Sequence, residues 1–135
     1  MKNSLYIILL SFFVFQSASS ENLNIQSKNI SIDKDTKKAL FTGNVIATDE
    51  SNNILKTENA EYSKDLKLLE SKGKTNIITS EGFKVSGKNM LFNNSNKIIK
   101  SKEPSIIEDL DNNKIFLESF EYSTQKNFFK STGKI

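Results

Sequence analysis

The side chains able to do chemistry in this chain are carboxylates, lysines and hydroxyls, because its 135 residues include no histidine and no cysteine. A nucleophile with a histidine base is thereby excluded, and a serine with a lysine base has no supporting motif. Carboxylates at Asp33, Asp35, Asp49, Glu50, Asp65, Asp109 and Asp111 sit in polar turn clusters. There they serve solubility and turn formation, and nothing in their spacing makes the facing pair that glycoside chemistry needs. Gly73 and Gly82 stand alone, so no phosphate-cradling loop is present. Without cysteine there are no disulfides, iron–sulfur clusters or most kinds of zinc site. No metal and no cofactor is expected. All 19 basic residues are lysine, interleaved with 16 acids to a net charge of +3. That pattern describes a solvated surface; with no basic cluster and no arginine fork, nucleic acid is not an expected partner. The chain reads as non-enzymatic.

The elements that carry these residues repeat. Leu40-Phe41-Thr42-Gly43-Asn44-Val45-Ile46-Ala47-Thr48 reads as a strand broken by one glycine, and its pattern returns thirty residues later at Leu69–Ile77. Further copies fall at Ile99–Ile107 and Phe129–Ile135. The strand before each copy keeps the same period, as Ile30/Ile32, Ala60/Tyr62, Met90/Phe92 and Phe120/Tyr122. A fixed period of this size marks stacked units, each too small to bury its own apolar face. Apolar residues alternate at i, i+2 between turn clusters such as 33–38, 49–53, 93–96 and 124–127, which predicts an all-β chain.

Parity assigns the faces. Phe41, Val45 and Ala47 share odd numbers with Leu69, Ile77, Phe83, Val85, Ile99, Ile107, Ile115 and Leu117. The apolar positions then switch to even numbers at Ala60 and Tyr62, Met90 and Phe92, Phe120 and Tyr122. One residue of slip exchanges the faces of a strand, so a corner is expected near 57–60, 87–90 and 117–120. Repeated corners would fold each long strand over, giving two facing sheet halves with a shared interior. Gly43, Gly73 and Gly133, and Glu103-Pro104 in the third repeat, are read as structural kinks. The inward set is Ile30, Ile32, Phe41, Tyr62, Phe83, Val85, Met90, Phe92, Ile115, Leu117, Phe120 and Tyr122. It is either an ordinary core or, if the halves stay apart, the lining of an apolar groove that also includes Ser71, Thr75, Ser101 and Ser105.

Met1-Lys2-Asn3, the apolar run Leu5–Phe15 and the small residues through Ser20 read as a signal peptide over 1–20, preceding one domain over 21–135. Eleven apolar residues fall short of the roughly 20 that span a bilayer. The alternative is an uncleaved anchor; a lipoprotein is excluded by the lack of cysteine.

Phe41-Thr42-Gly43-Asn44-Val45-Ile46-Ala47-Thr48, with Ile30-Ser31-Ile32-Asp33 before it and Ala60-Glu61-Tyr62 after it, resembles the OstA-like repeat of lipopolysaccharide transport proteins. That family includes LptA, the periplasmic domain of LptC and the N-terminal domain of LptD. The resemblance covers roughly residues 25–135. It implies a β-jellyroll of ~30-residue repeats, a periplasmic module whose interior shields the acyl chains of lipid A. The inward set above would be the lipid-contacting residues, with no catalytic residue and no cofactor. Partners would be lipopolysaccharide and other jellyroll domains stacked edge to edge, a second copy included. An LptA-like protein or an LptD N-terminal domain fits better than LptC, whose anchor would remain uncleaved. The chain stops at Ile135 inside its fourth organising strand, read either as a docking edge or as the front of a longer, outer-membrane-associated LptD-like chain. Two other functions compete: a structural or adhesive secreted β-solenoid with a closed core, and a polysaccharide-active enzyme built on one.

Overall fold

A computed structural model describes residues 23–131. The expected signal peptide and Gly133 lie outside the described residues. Within them the chain forms twelve strands and no helix. These are β1 (Leu23–Gln26), β2 (Asn29–Asp33), β3 (Lys38–Asp49), β4 (Ile54–Ser63), β5 (Leu68–Ile78) and β6 (Lys84–Lys88). There follow β7 (Leu91–Asn93), β8 (Ile98–Ser101), β9 (Ser105–Glu108), β10 (Lys114–Leu117), β11 (Phe120–Ser123) and β12 (Phe128–Ser131). All pair antiparallel in one sheet.

The sheet is folded along a line that crosses every long strand. One half contains β1, the later part of β3, the earlier part of β4, the later part of β5, then β6, β9 and β10. The other contains β2, the remaining parts of β3, β4 and β5, then β7, β8, β11 and β12. The register shifts between Thr42 and Val45, and between Thr57 and Asn59, mark the corner in the three long strands. Further along, the corner becomes a break: β6 gives way to β7, β8 to β9 and β10 to β11. The shift at Thr57/Asn59 and the breaks between β6 and β7 and between β10 and β11 are the slips that parity predicts; the shift at Thr42/Val45 and the break between β8 and β9 fall instead at the expected kinks, Gly43 and Glu103-Pro104. Pro104, which has no N–H for a ladder, lies in the break between β8 and β9. This is the open, folded-over β-jellyroll.

The thirty-residue period is also a period of turn chemistry. Asp33 Oδ1 accepts from the N–H of Asp35 at 2.9 Å, and Asn93 Oδ1 accepts from that of Ser95 at 2.9 Å. Ser63 and Ser123 Oγ do the same for Leu66 and Lys126. Each of these turns ends on a left-handed residue, at Lys37, Lys67, Lys97 and Asn127. The turns of the other half are capped by Asp49, Thr79 and Asp109 and pass through left-handed Asn52, Gly82 and Asn112. Short polar side chains that bond their own backbone favour this geometry over a continuing strand.

Two outcomes follow from the corner and the turns. Gly73 has φ +84° and open space around a notional β-carbon, whereas at Gly43 (φ +86°) such a carbon would meet Lys28 Cβ at 2.9 Å. Gly73→Ala should therefore cost only the left-handed strain, about 1–2 kcal/mol, and Gly43→Ala distinctly more, as read by urea denaturation. Asp33 is held below the ordinary carboxylate range by the N–H groups of Asp35 and Thr36, and Asp109 by the Asn113 side chain and N–H. A depressed carboxylate lends stability that is present above about pH 4 and is lost as pH falls through its folded value. Pairing Asp33→Asn with Asp109→Asn should flatten the acid limb of a stability–pH profile.

Candidate apolar binding interior

Directly opposed residues share a face, so the register builds the interior column by column. In one half a column runs Ile25, Ala47, Leu55, Ile77, Val85, Ile107, Ile115. In the other it runs Ile32, Ala39, Tyr62, Leu69, Phe92, Ile99, Tyr122, Phe129. The two columns meet across the fold. Val45, Ala47, Leu55, Leu69, Ile77, Val85, Met90, Phe92, Ile99 and Phe120 are all no more than 1% exposed.

Of the residues expected to face inward, Phe41, Val85, Met90, Phe92, Leu117, Phe120 and Tyr122 are buried, and Tyr62 and Phe83 are half-buried. Ile30, Ile32 and Ile115 depart from an enclosed site. By register they point to the inward side, opposite Phe41, Ala39 and Ile107, yet they are 54%, 69% and 43% exposed. The reason is position: among the described residues β2 and β10 are the terminal strands of their halves, with a neighbour on one side only. The apolar face thus runs out to the water at both ends of the sheet.

Ser71, Thr75, Ser101 and Ser105 are buried at the corner rather than arrayed along a cavity. The N–H of Met90 donates to Ser71 Oγ at 2.8 Å, which lies 2.6 Å from Thr75 Oγ1, and Thr75 Oγ1 donates to the Gly73 carbonyl at 2.9 Å. Ser101 Oγ donates to the Lys88 carbonyl and Ser105 Oγ to that of Glu103. These hydroxyls satisfy backbone groups that the corner takes out of the ladder. Parity placed them inside, but their role depends on where the strand turns.

Opposite the corner, the two rows of hairpin turns meet. Lys97 Nζ lies 3.4 Å from Glu50 Oε1, Ser80 Oγ is 3.5 Å from Asn127 Oδ1, and Tyr122 OH, which donates to Asn127 Oδ1 within its own hairpin at 3.1 Å, lies 3.5 Å from Asn53 Oδ1 across the margin. Asn53 Oδ1 accepts from the Ser80 N–H at 2.9 Å. The Phe83 and Phe129 rings stack across the same margin with centroids 6.1 Å apart, and Phe129 packs on Tyr122 at 4.4 Å. A half-exposed ion pair contributes about 0–1 kcal/mol and an aromatic pair about 0.5–1.5 beyond its burial. Leu55, Leu69, Ile77, Ile99 and Ile107, on the parity of Phe41 and Val45, are buried with the expected set; Phe129 packs against them as well, and its register partner Tyr122 identifies it.

Two comparisons place this arrangement. An antiparallel jellyroll, folded at one margin and apolar within, is the class that the fold and interior define. Residues 2–103 match the family model described as lipopolysaccharide-assembly, LptC-related, and the chain belongs to that family. Membership among the lipopolysaccharide transport proteins is as the resemblance implied. Among solved structures, LptH is similar, described as the LptA-homologous periplasmic component of the conserved lipopolysaccharide transport device of Pseudomonas aeruginosa. The TM-score is 0.67 at 14% identity, over 81% of this chain and 80% of that one, a likeness of fold. No curated protein matches the sequence.

Burial separates the interior from its ends. Phe92→Ala should cost about 3–5 kcal/mol by denaturant titration, whereas Ile32→Ala should stay within about 0.5 kcal/mol of the parent. Burial and the charge of Glu81 push the Tyr122 hydroxyl above its ordinary range. A raised tyrosine favours the folded state below about pH 10, and that advantage is lost as pH rises towards the folded value. Tyr122→Phe should remove this alkaline loss of stability.

Proposed function

We propose that this protein is a periplasmic module of lipopolysaccharide transport that shields lipid A acyl chains with its inward apolar columns, without catalysing a reaction. The observation that carries the reading is the continuation of those columns into water at both ends, at Ile30 and Ile32 on β2 and at Ile115 on β10. Each acyl methylene moved from water onto such a surface is worth about 0.8 kcal/mol, while sugars and phosphates stay in solvent. Family membership and the likeness to LptH support the same reading. Among the described residues, β1 and β2 at one end and β10 and β12 at the other are edge strands, which suits edge-to-edge pairing with another jellyroll domain. Strand direction alternates regularly, so a β1–β2 edge placed beside β12 would continue the antiparallel order, which admits a second copy as partner.

The near-zero exposure of the central interior favours a second reading, a purely structural repeat with a closed core. Binding separates the two. Purified protein should bind lipopolysaccharide and co-elute with it. Ile32→Asp or Ile115→Asp, on the inward side, should weaken binding about tenfold or more. Phe116→Asp, on the outward side of β10, should leave binding unchanged. Indifference of the parent protein to lipopolysaccharide would favour the structural repeat.

A further inference from the structure

The interior is packed and the fold has two unlike margins. On the corner margin the halves are joined covalently, because β3, β4 and β5 run through it without interruption. On the opposite margin, among the described residues, no strand runs from one half to the other, and side chains reach between hairpin turns. Those contacts repeat: Glu50 meets Lys97 and Ser80 meets Asn127, each pair separated by the same stretch of chain and displaced by one thirty-residue unit. Beside them lie the Tyr122 OH to Asn53 Oδ1 contact at 3.5 Å and the Phe83–Phe129 stack. A half-exposed ion pair and a long hydroxyl–amide contact are among the weakest links in the molecule, whereas parting the corner would require breaking ladder hydrogen bonds and the buried hydroxyl relay.

We infer that the margin between the hairpin turns is a slot that must part to admit an acyl chain, with Glu50–Lys97, Ser80–Asn127 and Phe83–Phe129 holding it shut and the glycine corner acting as the hinge. This rests on the lipid-carrying reading above and specifies its route. The packed columns leave an incoming chain two ways to the interior: threading from an end between terminal strands, or sideways entry as the slot widens. Sideways entry exposes a whole column at once and leaves the sugar and phosphate groups outside, beside the turns. Phe83 and Phe129 are then the first apolar surfaces that the chain meets. They are half-buried and sit at the rim, as such a role requires.

The absence of cysteine makes the test direct. Ser80→Cys with Asn127→Cys places two thiols across the slot, and a short bis-thiol reagent ties it shut. Lys56→Cys with Asn76→Cys, neighbours on the outward face of β4 and β5, receives the same reagent without spanning the slot. Uptake of a fluorescent long-chain fatty acid and of labelled lipopolysaccharide is measured before and after linkage. Linking the slot should slow uptake tenfold or more, and linking the control pair should not. Equal uptake with the slot linked would overturn the proposal in favour of end entry, leaving the lipid-carrying reading intact. Loss of uptake in both linked proteins would also overturn it, since the whole sheet must then flex. No uptake by the unlinked protein would overturn the lipid-carrying reading itself.

Discussion

A sheet with one apolar face cannot leave that face in water, and a thirty-residue hairpin is too small to cover its own. Everything in this fold follows from that constraint. Stacking hairpins extends the apolar face without hiding it, so the sheet folds over on itself and the inward columns of its halves cover each other. The fold line takes backbone groups out of the ladder, and the corner hydroxyls Ser71, Thr75, Ser101 and Ser105 supply the missing hydrogen bonds. The left-handed glycines and Pro104 let the chain bend where a regular strand would not.

Covering one half with the other works only where both halves are present. Among the described residues the terminal strands have a neighbour on one side only, which is why Ile30, Ile32 and Ile115 are exposed while Phe41, Ala39 and Ile107 beside them are not. An exposed apolar edge with unpaired backbone is normally an aggregation hazard. Under the proposed lipid-carrying function, the same feature becomes the working surface.

Much of the architecture was legible because the period is written twice. Apolar alternation gives the strands, and capping residues at 33, 63, 93 and 123 and at 49, 79 and 109 give the turns. The parity switch between Leu55 and Ala60 discloses a corner because a face cannot change without an irregular residue. Exposure was not legible: parity states which side Ile32 faces but not that β2 is the last strand on its side. The meeting of Phe83 with Phe129 was equally hidden, since it depends on how the two halves close over each other and no local pattern encodes that.

The most direct measurement uses two adjacent residues on opposite faces of one strand. A photo-reactive amino acid at Tyr62, on the inward side of β4, is compared in living cells with the same probe at outward Glu61. The account expects lipopolysaccharide adducts at Tyr62 and none at Glu61. Adducts at Glu61 alone, or at neither position in protein that is folded and exported, would contradict it.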